Sequence, residues 1–260
     1  MTESDRGASA VRHLYGTDPS QFGDLHLPTG QRRSGTVVLI HGGWWGPIFG
    51  ADMLDGVAAD LASRGWVTWN IEYRRIELGG GYPSTLEDVA NAIDYLDTLE
   101  EVETESVVTI GHSAGGHLAV WAAGRSKLAT GSPGAGPVVE LTGAISLAGA
   151  VDLGSAAREK IGDGAAIKLM GGSPDEYPAR YAVADPMDHL PLRAAVRCVH
   201  AKGDDRVPFT QSVNYVAAAL AAGEDARLLE VDGDHRSVVD TSLPSWRVII
   251  TALEELTGAS

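Results

Sequence analysis

Hydrophobic positions along the chain form short continuous runs that alternate with longer runs of helical repeat. The continuous runs are typical of parallel strands buried on both faces. They predict strands over residues 36–41, 66–73, 106–111, 143–149, 196–201 and 227–233, with a further antiparallel edge strand over 22–28. Apolar residues recur every three or four positions in the other runs, which predicts helices over residues 51–65, 84–101, 114–127, 208–223 and 244–258. This alternation indicates βαβ units and an α/β fold: a mostly parallel central sheet with helices on both faces.

Local chemistry marks two of the helix ends. Gly65 is a suitable C-terminal stop for the first helix, and Ser84 followed by Glu87 three residues later predicts a capping box at the start of the second.

The pattern contains no clear linker, so we expect residues 1–260 to form a single domain. Residues 152–191 carry only weak helical patterns between two predicted strands. Connections of this length in a compact sheet protein usually serve function. We therefore interpret this segment as a small cap insertion over a site.

Composition narrows the class of protein. The chain has 20 Lys and Arg against 35 Asp and Glu, a net charge of −15, which disfavours nucleic acid as a partner. Residues 1–16 are polar and lack the apolar core of a secretory signal, and the apolar tract over residues 141–151 is too short to span a bilayer. The single cysteine, Cys198, is expected to be a buried thiol. We expect a cytoplasmic protein with no membrane partner, and the pattern leaves a homodimer open.

The stretch TIGHSAGGHLA, residues 109–119, carries the first candidate for chemistry. Ser113 stands between a predicted strand and a predicted helix, with Gly111 and Gly115 two residues to either side. This G-x-S-x-G pattern is typical of a sharp, strained turn that exposes a nucleophilic hydroxyl above a sheet. Serine is more often a helix cap than a nucleophile, so the interpretation depends on partners elsewhere in the chain.

A serine nucleophile needs a base, usually a histidine oriented by a carboxylate. His235 follows the last predicted strand, and Asp204 and Asp205 follow the strand before it, so all three lie at the carboxyl edge of the sheet. The order Ser113, Asp204, His235 is the nucleophile–acid–base order of one hydrolase architecture. Asp205 remains an alternative to Asp204 as the acid.

The other histidines have ordinary explanations. His200 lies within a predicted strand, where a satisfied core histidine is the expected role. His112 and His117 flank Ser113 and are expected to be structural, although His112 also stays a candidate substrate contact. The histidines show no metal-binding spacing and no nucleotide motif is present, so we expect neither a metal nor a cofactor.

An anionic tetrahedral intermediate needs hydrogen-bond donors. The glycine pair in VVLIHGGWWGP follows a predicted strand and allows the backbone to turn N–H groups towards Ser113, although a plain tight turn is the alternative. The N–H of Ala114 lies at the positive end of its helix and adds a further donor.

Together HGGWW, GHSAG, GDDRVP and DGDH resemble the α/β-hydrolase superfamily from about Thr36 to the C-terminus. Within it, the H-G-G-x-W pattern is similar to the kynurenine formamidase and carboxylesterase group. The resemblance implies Ser113 as nucleophile, His235 as base and Asp204 as acid. It also implies an oxyanion hole formed by the N–H groups of Gly43, Trp44 and Ala114.

These residues favour a serine hydrolase that cleaves a small-molecule ester or amide through an acyl-enzyme. Trp45, with Trp44, is a candidate for narrowing the acyl side to a formyl or acetyl group; the alternative is that both indoles pack under the cap. A peptidase or acyl transferase with the same triad, or a non-catalytic binding protein of the same fold, are the competing functions.

Overall fold

The apolar runs form a single sheet of eight strands. The structure, a computed structural model, describes residues 10–258, so the first nine residues of the polar N-terminal segment lie outside it. The strands are β1 Val11–Leu14, β2 Phe22–His26, β3 Thr36–Ile40, β4 Val67–Ile71, β5 Val107–His112, β6 Gly143–Leu147, β7 Ala195–Ala201 and β8 Ala226–Val231. Their order is β1-β2-β4-β3-β5-β6-β7-β8, with β3 to β8 parallel and β1 and β2 antiparallel.

The helices cover both faces of this sheet. They are α1 Asp55–Ser63, α2 Ser84–Asp94, α3 Ala114–Ala123, α4 Leu153–Arg158, α5 Ile161–Met170, α6 Pro178–Ala184, α7 Thr210–Ala221 and α8 Pro244–Thr257. Helices α1 and α8 bury apolar side chains against one face, and α2, α3 and α7 bury theirs against the other. The predicted α/β fold is therefore confirmed. Within residues 10–258, none of these helices has both the length and the apolar character needed to cross a membrane.

Three local predictions differ from the structure. The capping box is wrong: Ser84 is the first helical residue of α2, and the N-cap Pro83 has no side chain that can cap. The first turn of the helix predicted over 51–65 is a separate 3-10 helix, Ala51–Leu54. Strand β2 is antiparallel as predicted, but it is not the edge strand because β1 pairs with it, Val11 opposite Leu25. The solvent-exposed four-residue β1 has no apolar run that would have predicted it.

The strand order creates a crevice at one place. The chain passes from β3 to β4 on one side and then returns to β5 on the other side of β3. Loops that leave the carboxyl ends of β3 and β5 therefore diverge, and such switch points hold the ligand sites of open α/β sheets. The loops after β7 and β8 end at the same edge of the sheet.

Residues 152–191 contain α4, α5, α6 and a 3-10 helix, Pro186–His189. Buried side chains of this insertion, such as Leu153, Leu169 and Tyr181, join the core on the α3 side of the sheet. At a left-handed turn over residues 162–164 the insertion adjoins the crevice, because a Cβ on Gly162 would lie 2.6 Å from the Trp44 ring.

Candidate active site

Ser113 occupies a strained turn between β5 and α3. Its backbone angles are φ 56° and ψ −118°, and its N–H donates to the Leu147 carbonyl across 2.8 Å. The neighbouring glycines are required by space: a Cβ on Gly111 would lie 1.9 Å from the Gly115 carbonyl oxygen, and one on Gly115 would lie 2.0 Å from that of Ile40. A non-glycine residue held at positive φ stores strain that the surrounding structure must impose.

The loops after β7 and β8 bring a carboxylate and an imidazole together. Nδ1–H of His235 donates to Oδ2 of Asp204 across 2.7 Å, and the Asp204 side chain is fully buried. The neighbouring Asp205 side chain is 70% exposed, and its closest cationic partner is Arg206 at 3.8 Å. Of the two aspartates that the sequence left open, Asp204 is the one that contacts His235.

Several donors hold Asp204 as a carboxylate. Burial raises its pKa, but hydrogen bonds from His200, His235 and the backbone N–H groups of Arg206 and Val207 outweigh that effect and lower the pKa well below its usual range. Asp204 is therefore a carboxylate at neutral pH.

Ser113 and His235 line one cavity of about 420 Å³. The described residues show no hydrogen bond from the Ser113 hydroxyl to the His235 ring. Contacts of this kind are commonly long without substrate and tighten in the Michaelis complex. The fixed Nδ1–H tautomer leaves the lone pair on Nε2 of His235 as the basic site.

The loop after β3 carries unpaired backbone donors. Gly43, Trp44 and Trp45 have φ of 109°, 57° and 54°, so three successive residues lie in the left-handed region. Within residues 10–258, the N–H groups of Gly43 and Trp44 donate to no protein acceptor, and neither does that of Ala114 at the first position of α3. These three groups, predicted as an oxyanion hole, are thus free to receive a ligand, and the α3 dipole favours negative charge at Ala114.

A buried hydrogen-bonded pair, His41 and Glu72, supports this loop. His41 donates from Nδ1 to the Gly42 carbonyl across 2.8 Å and from Nε2 to Oε1 of Glu72 across 2.9 Å. Tyr73 donates its hydroxyl to the His41 carbonyl across 2.9 Å and stacks on the imidazole. Burial raises the pKa of Glu72, but the hydrogen bonds from His41 and the Tyr73 N–H overcome this and lower it.

Sequence reasoning missed Glu72. Its signal was present, since a single carboxylate follows the apolar strand residues of β4. A buried charge of that kind requires a partner.

His112 connects the serine turn to the His235 loop. It lines the cavity floor, but its ring is buried, and Nε2–H donates to the His235 carbonyl across 2.9 Å. Burial, with the neighbouring His235 ring 4.7 Å away between centroids, lowers the pKa of His112 to about 4. His112 is therefore a neutral tether at neutral pH, and its role as a substrate contact stays a prediction.

The two tryptophans of HGGWW have different environments. Trp44 lines the cavity, whereas Trp45 is only 1% exposed and packs edge-on against His117 in the core. The structure thus contradicts Trp45 as a direct substrate contact, because two successive left-handed residues turn its ring away from the crevice. Trp45 instead packs inside the protein, which was the alternative to a role in narrowing the acyl side.

The remaining cavity wall comes from loops that the sequence did not single out. Ile48, Phe49 and Met53 follow the HGGWW segment and supply apolar surface, with Ile48 82% exposed at the mouth. None of the lining residues in the described part of the chain comes from residues 152–191. The insertion comes near this cavity at Gly162, beside the Trp44 ring, and its interpretation as a cap stays a prediction.

No group of three His, Cys, Asp or Glu side chains within residues 10–258 is arranged to hold a metal ion. The chemistry available at the site is that of a hydroxyl, an imidazole, a carboxylate and backbone N–H donors.

Comparison with known proteins agrees with this architecture. A truncated carbohydrate esterase from gut microbiota superposes with a TM-score of 0.82 at 20% identity, covering 97% of this chain and 98% of the other. Esterase B from Lactobacillus rhamnosis, inhibited by a tributyrin phosphonate, gives 0.80 at 18% identity, covering 95% and 85%. The butyrate-bound esterase Est2 of Thermogutta terrifontis gives 0.74 at 19% identity, covering 96% and 94%.

At these identities the structural likeness shows the α/β-hydrolase fold. A search of curated proteins found no match. The sequence model of the BD-FAE family, in contrast, matches residues 24–219, well over half of the chain. The protein therefore belongs to the BD-FAE family.

Proposed function

We propose that the protein is a carboxylesterase that cleaves esters of small acyl groups with Ser113, His235 and Asp204 as its catalytic triad. One observation carries the proposal: a buried carboxylate lies 2.7 Å from the ring of His235, and His235 lines the same cavity as a serine held at positive φ. Helix caps and core serines do not need that conformation, whereas a nucleophile at a strand-to-helix turn does.

The reaction follows from these positions. Nε2 of His235 takes the proton of the Ser113 hydroxyl as its oxygen attacks the ester carbonyl, and the carbonyl oxygen becomes an oxyanion. The N–H groups of Gly43, Trp44 and Ala114 receive that charge. Collapse breaks the ester C–O bond, and His235 returns the proton to the leaving alkoxide. A water, deprotonated by the same imidazole, then attacks the acyl-enzyme, which releases the acid and restores Ser113.

The cavity wall supports a short apolar acyl group. Trp44, Ile48, Phe49 and Met53 give the pocket apolar surface, and its volume of about 420 Å³ suits a small ligand. Butyrate and a tributyrin phosphonate are bound to two of the similar esterases, which agrees with short acyl chains. The finer alternative is an arylformamidase, because a formyl amide needs the same nucleophile and oxyanion donors and the smallest acyl pocket.

Steady-state kinetics test the proposal. We expect hydrolysis of p-nitrophenyl acetate and butyrate to exceed that of the laurate ester. Hydrolysis of N-formylkynurenine, measured in parallel, tests for formamidase activity. Ser113→Ala should remove activity and labelling by a fluorophosphonate probe. A wild-type protein that neither hydrolyses any of these esters or amides nor reacts with the probe contradicts the proposal and favours a binding protein.

The doubled aspartate offers a matched control. Asp204→Asn should lower kcat by about 10³- to 10⁴-fold, because asparagine cannot hold the His235 tautomer or its charge. Asp205→Asn, one residue away at the exposed rim of the same cavity, leaves the Asp204–His235 contact in place, so its loss in kcat should be far smaller than that of Asp204→Asn. Equal losses of kcat in both variants, or a larger loss in Asp205→Asn, would show that Asp204 is not the acid of the triad.

A further inference from the structure

A second histidine binds the carboxylate of Asp204. His200 lies near the end of β7 and is completely buried. Its Nε2 is 3.1 Å from Oδ2 of Asp204 and 3.1 Å from the Val207 carbonyl oxygen. Both of these neighbours are acceptors, so the ring proton must be on Nε2 of His200. On the other side, Nδ1 lies 2.8 Å from the Ser212 hydroxyl of α7.

The result is a carboxylate whose acceptor sites are all used. Oδ1 of Asp204 accepts from the N–H groups of Arg206 and Val207 at 2.8 and 2.9 Å. Oδ2 accepts from His235 at 2.7 Å and from His200 at 3.1 Å, where the single Nε2–H of His200 is shared with the Val207 carbonyl. A carboxylate has about four lone-pair sites, and four donors fill them here. The group is therefore held against rotation, and His200 competes with His235 for the same oxygen.

We propose that His200 is a positioning residue of the active site, which acts through Asp204 to set the orientation and the proton affinity of His235. The inference rests on the proposed function, since it assigns His235 as the base. An N–H donor on Oδ2 withdraws negative charge from the contact with His235. Without it, the carboxylate would attract the His235 imidazolium more strongly and hold it in the form that cannot accept a proton from Ser113.

Other titratable groups face this pair from each neighbouring element. His112 at the end of β5 lies beside His235, with the two rings tilted by 44°, and Arg236 adjoins His235 on the β8 loop. Asp205 and Arg206 flank the acid on its own loop. Opposite His200, Glu230 of β8 is bound to Lys202 across 2.7 Å. Substitutions confined to His200 leave all of these in place, so any difference between two such variants reports on the His200 donor itself.

Two substitutions of equal length isolate that donor. His200→Gln retains an N–H donor at the distance of Nε2, whereas His200→Met fills the space without one. In the pH profile of kcat/KM for p-nitrophenyl acetate, we expect the acid limb of His200→Met to move about 0.5 to 1 pH unit upwards. The acid limb of His200→Gln should stay near that of wild type. An acid limb for His200→Met that coincides with that of His200→Gln, or that moves downwards, overturns the proposal.

A second measurement uses the unmodified protein and requires no catalysis. Long-range ¹H–¹⁵N spectra of histidine-labelled protein report which ring nitrogen carries the proton. We expect the proton of His200 on Nε2 throughout the pH range in which the enzyme is assayed. A proton found only on Nδ1 would remove the donor from Asp204 and refute the inference, whether or not the protein proves to be an esterase. This result also decides the question if His200→Met fails to fold.

Discussion

The buried pair of His41 and Glu72 leads to a prediction in which the effects on stability and on catalysis can be measured separately. Nδ1 of His41 faces the Gly42 carbonyl and Nε2 faces the Glu72 carboxylate, so the buried ring is held between two acceptors. Glu72→Gln removes the charge of the carboxylate while Arg75, 3.4 Å from the carboxylate, remains. The substitution also turns the oxygen that accepts from the Ala51 N–H into an amide NH₂ group, which cannot accept. The Arg75 guanidinium and the His41 ring are then left without the carboxylate that faces both of them.

Two magnitudes follow. Removing one partner of a buried ion pair costs about 3–5 kcal/mol. Because glutamine keeps one acceptor for His41, we expect a loss of about 2–3 kcal/mol in the free energy of unfolding at pH 7. Loss of an oxyanion donor costs about 10²- to 10³-fold in kcat. Here the donors of Gly43 and Trp44 are displaced, not deleted, so we expect kcat to fall about 10- to 100-fold with KM little changed.

The stability loss has a defined pH dependence. The folded state lowers the pKa of Glu72, so its carboxylate stabilises the fold fully above the ordinary glutamate pKa. This contribution disappears as the pH falls through the lowered folded value. Urea unfolding of wild type and Glu72→Gln should therefore show a constant difference from pH 6 to 8 and a shrinking difference below about pH 4.

A second buried pair provides the control. Asp94 binds the buried Arg125 guanidinium, with Oδ2 2.6 Å from Nη2, and neither residue lines the cavity. Asp94→Asn should also destabilise the protein but leave kcat unchanged. If Glu72→Gln loses stability while kcat also stays at the wild-type value, the pair supports the fold alone and our reasoning about the oxyanion loop is wrong.

Three further predictions concern the cavity wall and the core. Trp44→Ala should shift the preference among p-nitrophenyl esters towards longer acyl chains, whereas Trp45→Ala should cost about 3–5 kcal/mol of stability without that shift. Gly162→Ala and Gly164→Ala both place a side chain at positive φ and should each cost about 1–3 kcal/mol by thermal unfolding. Only Gly162→Ala should alter acyl preference, because its Cβ would lie 2.6 Å from the Trp44 ring. Burial raises the pKa of the Cys198 thiol to about 12, so a thiol reagent at pH 8 should modify it in urea and not in the folded protein.

The sequence predicted those features whose cause is local. Ser113 was identifiable because a strand-to-helix turn of this sharpness excludes side chains two residues to either side, and only glycines fit there. The parallel strands were identifiable because burial on both faces requires continuous apolar runs. Asp204 was assigned as the acid, but Asp205 remained an alternative because both residues follow the same strand. Only the fold decides which carboxylate turns inward to His235 and which faces solvent.

Side-chain direction in the HGGWW loop lay beyond the same reasoning. Periodicity assigns a face to residues in regular helices and strands, but Trp44 and Trp45 are in a left-handed backbone that follows neither repeat. One ring therefore enters the cavity and the other enters the core. The packing of the insertion over residues 152–191 was also beyond this reasoning. Its length indicated a cap, but nothing in the sequence showed that its buried side chains pack into the main core and that none of its residues lines the cavity.

A polar residue within an apolar run indicates a hydrogen-bond network, although its apolar neighbours suggest an ordinary core position. His200 in VRCVHA and Glu72 in WVTWNIEY each occur where a buried polar group must find a partner. The sequence alone does not identify either partner, because their separation along the chain follows no rule. Asp204 is four residues from His200, whereas His41 is thirty-one residues from Glu72. What the sequence does indicate is that each such residue belongs to a hydrogen-bond network. In this protein both networks end at the proposed catalytic groups, one at the triad acid and the other at the oxyanion loop. A buried histidine or glutamate in an otherwise apolar strand of such a sheet is therefore a reason to examine the carboxyl edge nearest to it, before assigning it to the core.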